Sequence, residues 1–248
     1  MPGPKKAPKK VYYLVKTRSL FSCFLHWVYV LAMVALILTG FYIGDPEFFL
    51  GSGEAHQAFM MGYARLIHFV AAIFLIAGFI LRLYLSFFLC NRHDILDIIP
   101  TPKNIVGAVK LAFYYLTFRG PHHVYRYINP LGGIGIFLTL LFSLVQILTG
   151  FLLYLPGADA TAWGGVLPVV EIINMKLGGL QIVRQIHHLV MFFLLTVIFI
   201  HIYMQIWKNT VFEEADIASI FAGYKMFPEE IVKVFDKGLE SYKVEEGR

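Results

Sequence analysis

Four stretches of this chain are apolar for long enough to cross a bilayer core, and nothing else in the sequence constrains the fold as tightly. They run roughly from Leu20 to Ile43, Leu66 to Leu89, Leu131 to Leu155 and Ile186 to Trp207, and a helical span needs about 20 residues. Inside hydrocarbon the backbone must satisfy its own hydrogen bonds, so such segments become helices. Composition points the same way: 58% of the residues are hydrophobic and 15% charged, against about half and about a quarter in soluble domains. The expected fold class is all-α and integral to the membrane, a four-transmembrane-helix bundle. The first span is too long for the apolar core of a signal peptide, and no small-residue cleavage site follows it. Cys23 and Cys90 are too few for a disulfide framework or a zinc ribbon and read as packing residues. A formal charge of +5 is too modest to imply nucleic acid; its distribution along the chain says more.

Lys5, Lys6, Lys9, Lys10, Lys16 and Arg18 precede the first span with no acid among them, and Arg92, Lys103, Lys110, Arg119 and Arg126 follow the second. Basic flanks mark the cytoplasmic face. The loop from Gly44 to Arg65 carries Asp45, Glu47 and Glu54, and the loop before the fourth span carries Asp159 and Glu171, so both face outward. The expected layout is a basic tail over 1–19, a four-helix domain over 20–207 and an amphipathic tail over 208–248, with both termini cytoplasmic in the cell's inner membrane. Lys103 to Phe118 starts after two prolines, ends before "RGP" and reads as an interfacial helix. The tail from Phe212 holds nine of the sixteen acids and is expected to form one or two peripheral cytoplasmic helices. "LTGFYI" and "LTGFLL", ending the first and third spans, are a faint internal echo.

The fourth span opens "RQIHHLVMFFLLTVIFIHIY" and raises the question of why histidines enter lipid. Ionisable groups there are costly and face the bundle interior with partners. His26 and His201 fall at one depth, near the cytoplasmic ends of their spans; His68, His187 and His188 fall at the other. Fourteen residues at about 100° each come about 40° short of four turns and rise about 21 Å, which puts His187 and His201 on one face at two depths. Thirteen residues miss by about 140°, which turns His188 away from that face. The same fourteen-residue spacing joins His26 to Gly40 and His68 to Arg82. Two facing imidazoles at each of two depths describe two bis-histidine haems in a four-helix bundle, His68 with His187 outside and His26 with His201 inside. Gly40, Gly133, Gly135 and Gly150 could admit the macrocycles, because glycine lacks Cβ. Arg65, Arg184 and Arg82 are the cations expected for the propionates.

Plainer readings compete with this one. A single histidine in a membrane helix is often a hydrogen bond between helices, and a single glycine is often close packing. Four histidines matched in depth and face across three helices make that reading less economical than a cofactor. A zinc site lacks an HExxH pattern and any carboxylate within a span. A transporter would show paired broken helices or a buried carboxylate. A haem-free membrane anchor stays open.

The stretches "LHWVYVLAMVALILTGFYIG", "GEAHQAFMMGYARLIHF", "IHHLVMFFLLTVIFIHIYMQIW" and "DIASIFAGYKMF" resemble the b-type cytochrome subunit of membrane-bound nickel-iron hydrogenases. That family lies in the wider group of bacterial cytochrome b561 and formate dehydrogenase gamma proteins. "MGYxRLIHF" is the portion most specific to hydrogenases, and the resemblance covers nearly the whole chain. It implies two haem b groups ligated by His26, His68, His187 and His201. It also implies an electron path from the iron-sulfur clusters of a periplasmic hydrogenase, through outer and inner haems, to a quinone, menaquinone or ubiquinone, on the cytoplasmic side. Arg82, His122 and His123 are the residues considered for the quinone site. The implied partners are the small and large hydrogenase subunits, with docking through the small subunit's C-terminal membrane helix. The chain lacks the cysteines for a nickel-iron centre or for clusters and would not itself activate hydrogen. A formate dehydrogenase or thiosulfate reductase complex is the alternative partner. Arg184 departs from similar members, which often carry a second histidine there.

Overall fold

The computed structural model describes residues 11–46, 59–89, 92–117, 119, 125, 128–211, 216–232 and 241–245. His56, Cys90, His122, His123, Arg126 and the lysines of the first ten residues lie outside them, as does the side chain of His93. The chain divides into two compact units. One comprises Val28–Phe118 and Asn129–Ile200; the other comprises Met1–Trp27, Arg119–Ile128 and His201–Arg248.

Among the described residues four helices are long and apolar enough to cross a membrane: α1 over Leu20–Gly44, α2 over Met60–Tyr84, α5 over Pro130–Tyr154 and α8 over Leu180–Val211. All four expected spans are present, and α8 begins six residues earlier than hydropathy alone suggests, at Leu180 rather than Ile186. The reason is local. Gly178 and Gly179 sit at φ 97° and 91°, a region open to glycine, and the Gly179 amide closes on the Asn174 carbonyl at 2.7 Å, so the chain turns and restarts at once as a helix. The α2 helix continues into a π-turn over Leu85–Leu89.

Within the first unit the core is Met33, Leu75 and Leu194, flanked by Tyr29, Leu36, Phe142, Ile147 and Ile198. Those residues come from all four long helices. Yet only 11–17% of each span's most apolar window is buried within the chain. Leu31, Ile73, Leu148 and Phe199 stand 55–68% exposed, an apolar surface suited to lipid rather than water. Tyr29 adds a polar tie, its hydroxyl donating to Ser143 Oγ at 3.3 Å.

The short helix α3 spans Arg92–Ile98. The expected interfacial helix is α4, Pro102–Thr117; Thr101 caps it by accepting the Asn104 amide at 3.2 Å. The Asn104 side-chain amide returns to the Leu96 and Ile99 carbonyls at 2.6 and 2.8 Å and fixes the turn after α3. Buried Ala108 and Leu111 oppose Ile105, Val109 and Leu116, which are 46%, 65% and 81% exposed, as befits a helix lying on a membrane surface. Asn129 caps α5 by accepting the Gly132 amide at 2.6 Å, with Pro130 at the first helical position. After α5, the short α6, Ala160–Trp163, is capped by Asp159, which accepts the Thr161 amide at 2.8 Å. That bond holds the Asp159 carboxyl below its ordinary pKa. Helix α7, Leu167–Lys176, is tied to the end of α5 by the Asn174 amide on the Leu152 carbonyl at 3.1 Å.

The second unit departs from the sequence reading. Where only peripheral helices were expected in the tail, the short helix α9, Asp216–Ala222, gives way to a strand, β2, Tyr224–Pro228. A single-turn helix, α10, Glu229–Val232, follows, and then β3, Ser241–Glu245. Both strands pair antiparallel with β1, Val11–Lys16, in the order β2-β1-β3, with Tyr13 opposite Phe227 and Lys243. Val15 and Phe227 are fully buried there. The break falls at Gly223, whose φ of 81° ends the helix and whose carbonyl accepts the amides of Thr17 and Arg18 at 2.9 and 3.1 Å. Trp27 packs at a tilt against Phe221, ring centroids 4.7 Å apart, and donates to the Ile220 carbonyl at 3.2 Å, fastening α9 to the start of α1.

Candidate functional site

His68 is half-buried on α2 and meets the last turns of α1. The Thr39 hydroxyl lies 2.8 Å from His68 Nδ1 and donates to the Ala35 carbonyl one turn back at 2.6 Å. A hydroxyl has one proton. With that proton given to the carbonyl, the Thr39 oxygen is an acceptor for the ring, an arrangement that suits the tautomer with the hydrogen on Nδ1 and the lone pair on Nε2. The next residue completes the seat: a Cβ on Gly40 would lie 3.6 Å from His68 Cε1 and 3.6 Å from Met191 Sδ of α8.

The arrangement recurs between α5 and α8. His187, half-buried on α8, has Nδ1 at 2.8 Å from the Thr149 hydroxyl of α5, and Thr149 donates to the Val145 carbonyl at 2.7 Å. A Cβ on Gly150 would lie 3.6 Å from His187 Cε1. His68 and His187 are themselves close enough to interact electrostatically. The faint echo of the sequence is therefore a repeated structural part: each "LTG" seats one imidazole, threonine on Nδ1 and glycine against Cε1. Sequence reasoning assigned the glycines and overlooked the threonines, although the repeat itself was the signal.

His188 goes elsewhere. Its ring lies against Gly44, 2.8 Å from where a Cβ would stand, beside a cavity of about 160 Å³ lined by Gly40, Phe41, Asp45 and Met191 among others. Adjacent residues on a helix differ by about 100°, and here that angle sends His187 to α5 and His188 to the end of α1.

In the second unit, His26 on α1 and His201 on α8 are near enough to interact electrostatically. His26 is half-buried and His201 exposed. The His26 ring stands edge-on to Trp27 at 5.6 Å. Its Nδ1 is buried without a hydrogen-bond partner among the described residues. Arg18 places its charge within reach of both rings; it had been read only as part of the basic tail.

The remaining expected residues fall as follows. Arg65 is exposed on α2, three residues before His68. Arg184 is exposed and donates to Gln181 Oε1 at 3.0 Å. Arg82 is half-buried near the far end of α2 from His68. Gly135 faces open space. A Cβ on Gly133 would run into the Asp97 carbonyl of α3, so the close α3–α5 approach is itself a reason for glycine there.

Two neighbouring imidazoles bonded through Nδ1 can offer Nε2 as axial ligands to a haem iron, and the Nδ1 of His26, without a partner among the described residues, suits a site completed by a further group. Among the described residues no three of His, Cys, Asp or Glu converge as a bare metal ion would need. A bundle of apolar spans with paired histidines defines a membrane-embedded b-type cytochrome. Residues 17–223 match the prokaryotic cytochrome b561 family, and the chain belongs to it. Among its relatives are the "Probable Ni/Fe-hydrogenase B-type cytochrome subunit" of Cupriavidus necator, 31% identical over 82% of this chain and 83% of that one, and that of Azotobacter vinelandii, 30% identical over 83% and 85%. The "Probable Ni/Fe-hydrogenase 1 B-type cytochrome subunit" of Escherichia coli K12 is 30% identical over 81% of this chain and 86% of its own.

Proposed function

We propose that this chain is the di-haem cytochrome subunit of a membrane-bound nickel-iron hydrogenase and carries electrons across the membrane from that enzyme to a quinone. The observation that carries the reading is the pair of neighbouring imidazoles, His68 and His187, each bonded through Nδ1 to its own threonine. Relatives named as hydrogenase cytochrome subunits align over more than four-fifths of both chains. His68 and His187 hold one haem; His26 and His201 hold the other. A bound haem supplies a one-electron iron couple. The chain's own residues orient the ligands, exclude water and balance the propionates. Arg65 and Arg184 serve the first haem. Arg18 serves the second, and Arg82 is a further candidate for a propionate. Gly40 and Gly150 give the space in which a macrocycle can approach the helices. The basic flanks favour cytoplasmic termini; with haems bound, His68 and His187 would hold the group that takes electrons from the donor, and His26 and His201 the group that would pass them to menaquinone or ubiquinone. Hydrogenase small and large subunits, docked through the small subunit's membrane helix, are the donor.

Hydrogen added to the complex isolated from membranes should reduce both b haems, read as reduced-minus-oxidised absorbance, and hydrogenase subunits should co-purify. Haems reduced by formate and not by hydrogen would transfer the chain to a formate dehydrogenase. A chain isolated without haem would be an anchor.

A further inference from the structure

The two threonine seats have a consequence beyond holding the rings. When the Nδ1 hydrogen of an iron-bound imidazole is donated to a good acceptor, the ring becomes more basic at Nε2 and its orientation is fixed. A more basic ligand stabilises ferric over ferrous iron and lowers the midpoint potential, since hydrogen bonding around the ligands is one of the protein's means of setting it. Thr39 and Thr149 are well suited to this. Each hydroxyl is saturated as a donor by a helix carbonyl at 2.6 or 2.7 Å, so each meets its histidine only as an acceptor, at 2.8 Å. Thr149 is buried and Thr39 half-buried, where no bulk water competes for the ring hydrogen.

We propose that Thr39 and Thr149 are positioning residues that lock His68 and His187 as Nε2 ligands and lower the potential of the haem they hold. This rests on the haem reading above. Valine matches the shape of threonine without the hydroxyl, and serine keeps the hydroxyl without the methyl. In the purified, haem-loaded protein, Thr39→Val and Thr149→Val should each raise the midpoint potential of one b haem and leave the other in place. The expected shift is up to about a tenfold change in the reduced-to-oxidised ratio at a fixed poise, about 59 mV for one electron. Thr39→Ser and Thr149→Ser should stay close to wild type. The low-spin ferric electron-paramagnetic-resonance signal of the same haem should move in the valine variants and not in the serine ones.

Loaded valine variants with unchanged or lowered potentials would overturn the proposal, and so would a serine variant that shifts as far as valine. If a valine variant loses haem, the serine variant decides: full loading with a wild-type potential supports the role of the hydroxyl, and equal loss overturns it. Wild-type protein without haem would instead sink the haem reading itself.

Discussion

At His68 and His187 each ring is gripped through Nδ1 by a threonine of a neighbouring helix, whereas at His26 the same nitrogen is buried with no partner among the described residues. The rings of the first pair meet neutral hydroxyls and glycine backbone, with Arg65 and Arg184 exposed three residues away; the rings of the second feel the charge of Arg18 directly. On the haem reading the two environments act in opposite directions. Acceptors on Nδ1 favour the ferric form, and a nearby cation favours the ferrous form by offsetting the added electron. The His68–His187 haem should therefore be the better electron donor and the His26–His201 haem the better acceptor, a gradient that matches the proposed direction of transfer.

The comparison can be broken or sharpened in several ways. The largest effect is expected from His201→Ala, which should remove the haem of the second pair and spare the first; a haem count with a redox titration of the remaining component checks it. Gly40→Leu should come next. A Cβ at that position stays at ordinary contact distance from His68 Cε1 and Met191 Sδ, so Gly40→Ala should cost less of the first haem than Gly40→Leu, whose bulk should displace it. Gly133→Ala forces a methyl onto the Asp97 carbonyl and should destabilise the α3–α5 packing by about 1–3 kcal/mol, the usual cost of overpacking, measurable as a lower midpoint of thermal unfolding with haem stoichiometry unchanged in the folded fraction. The smallest effect belongs to Arg18→Gln. It should lower the potential of the second haem only, by less than about 59 mV, and the difference should shrink at high salt because Arg18 is exposed. A shift in the first haem instead would mean that Arg18 serves the wrong site.

The four spans and the separation of His187 from His188 were legible in the sequence, because apolar length and a 100° period are local signals. The sheet was not. "VYYLVK" is a plausible strand, but its partner begins at Tyr224, more than two hundred residues away, and no periodicity announces a pairing so distant. "DIASIFAGYKMF" has helical spacing throughout; only the positive φ at Gly223, fixed by its bonds to Thr17 and Arg18, turns its second half into a strand. The threonines escaped for another reason. A threonine in an apolar helix normally satisfies itself on the carbonyl one turn back, and Thr39 and Thr149 do so. Their second lone-pair contact depends on a ring arriving from another helix, which only the folded chain reveals.

The most direct measurement is the ratio of haem to protein in the wild type and in His187→Ala and His188→Ala, purified alike. Two haems per chain, falling to one in His187→Ala and staying at two in His188→Ala, is the predicted result. Haem lost from His188→Ala and kept in His187→Ala would contradict the account.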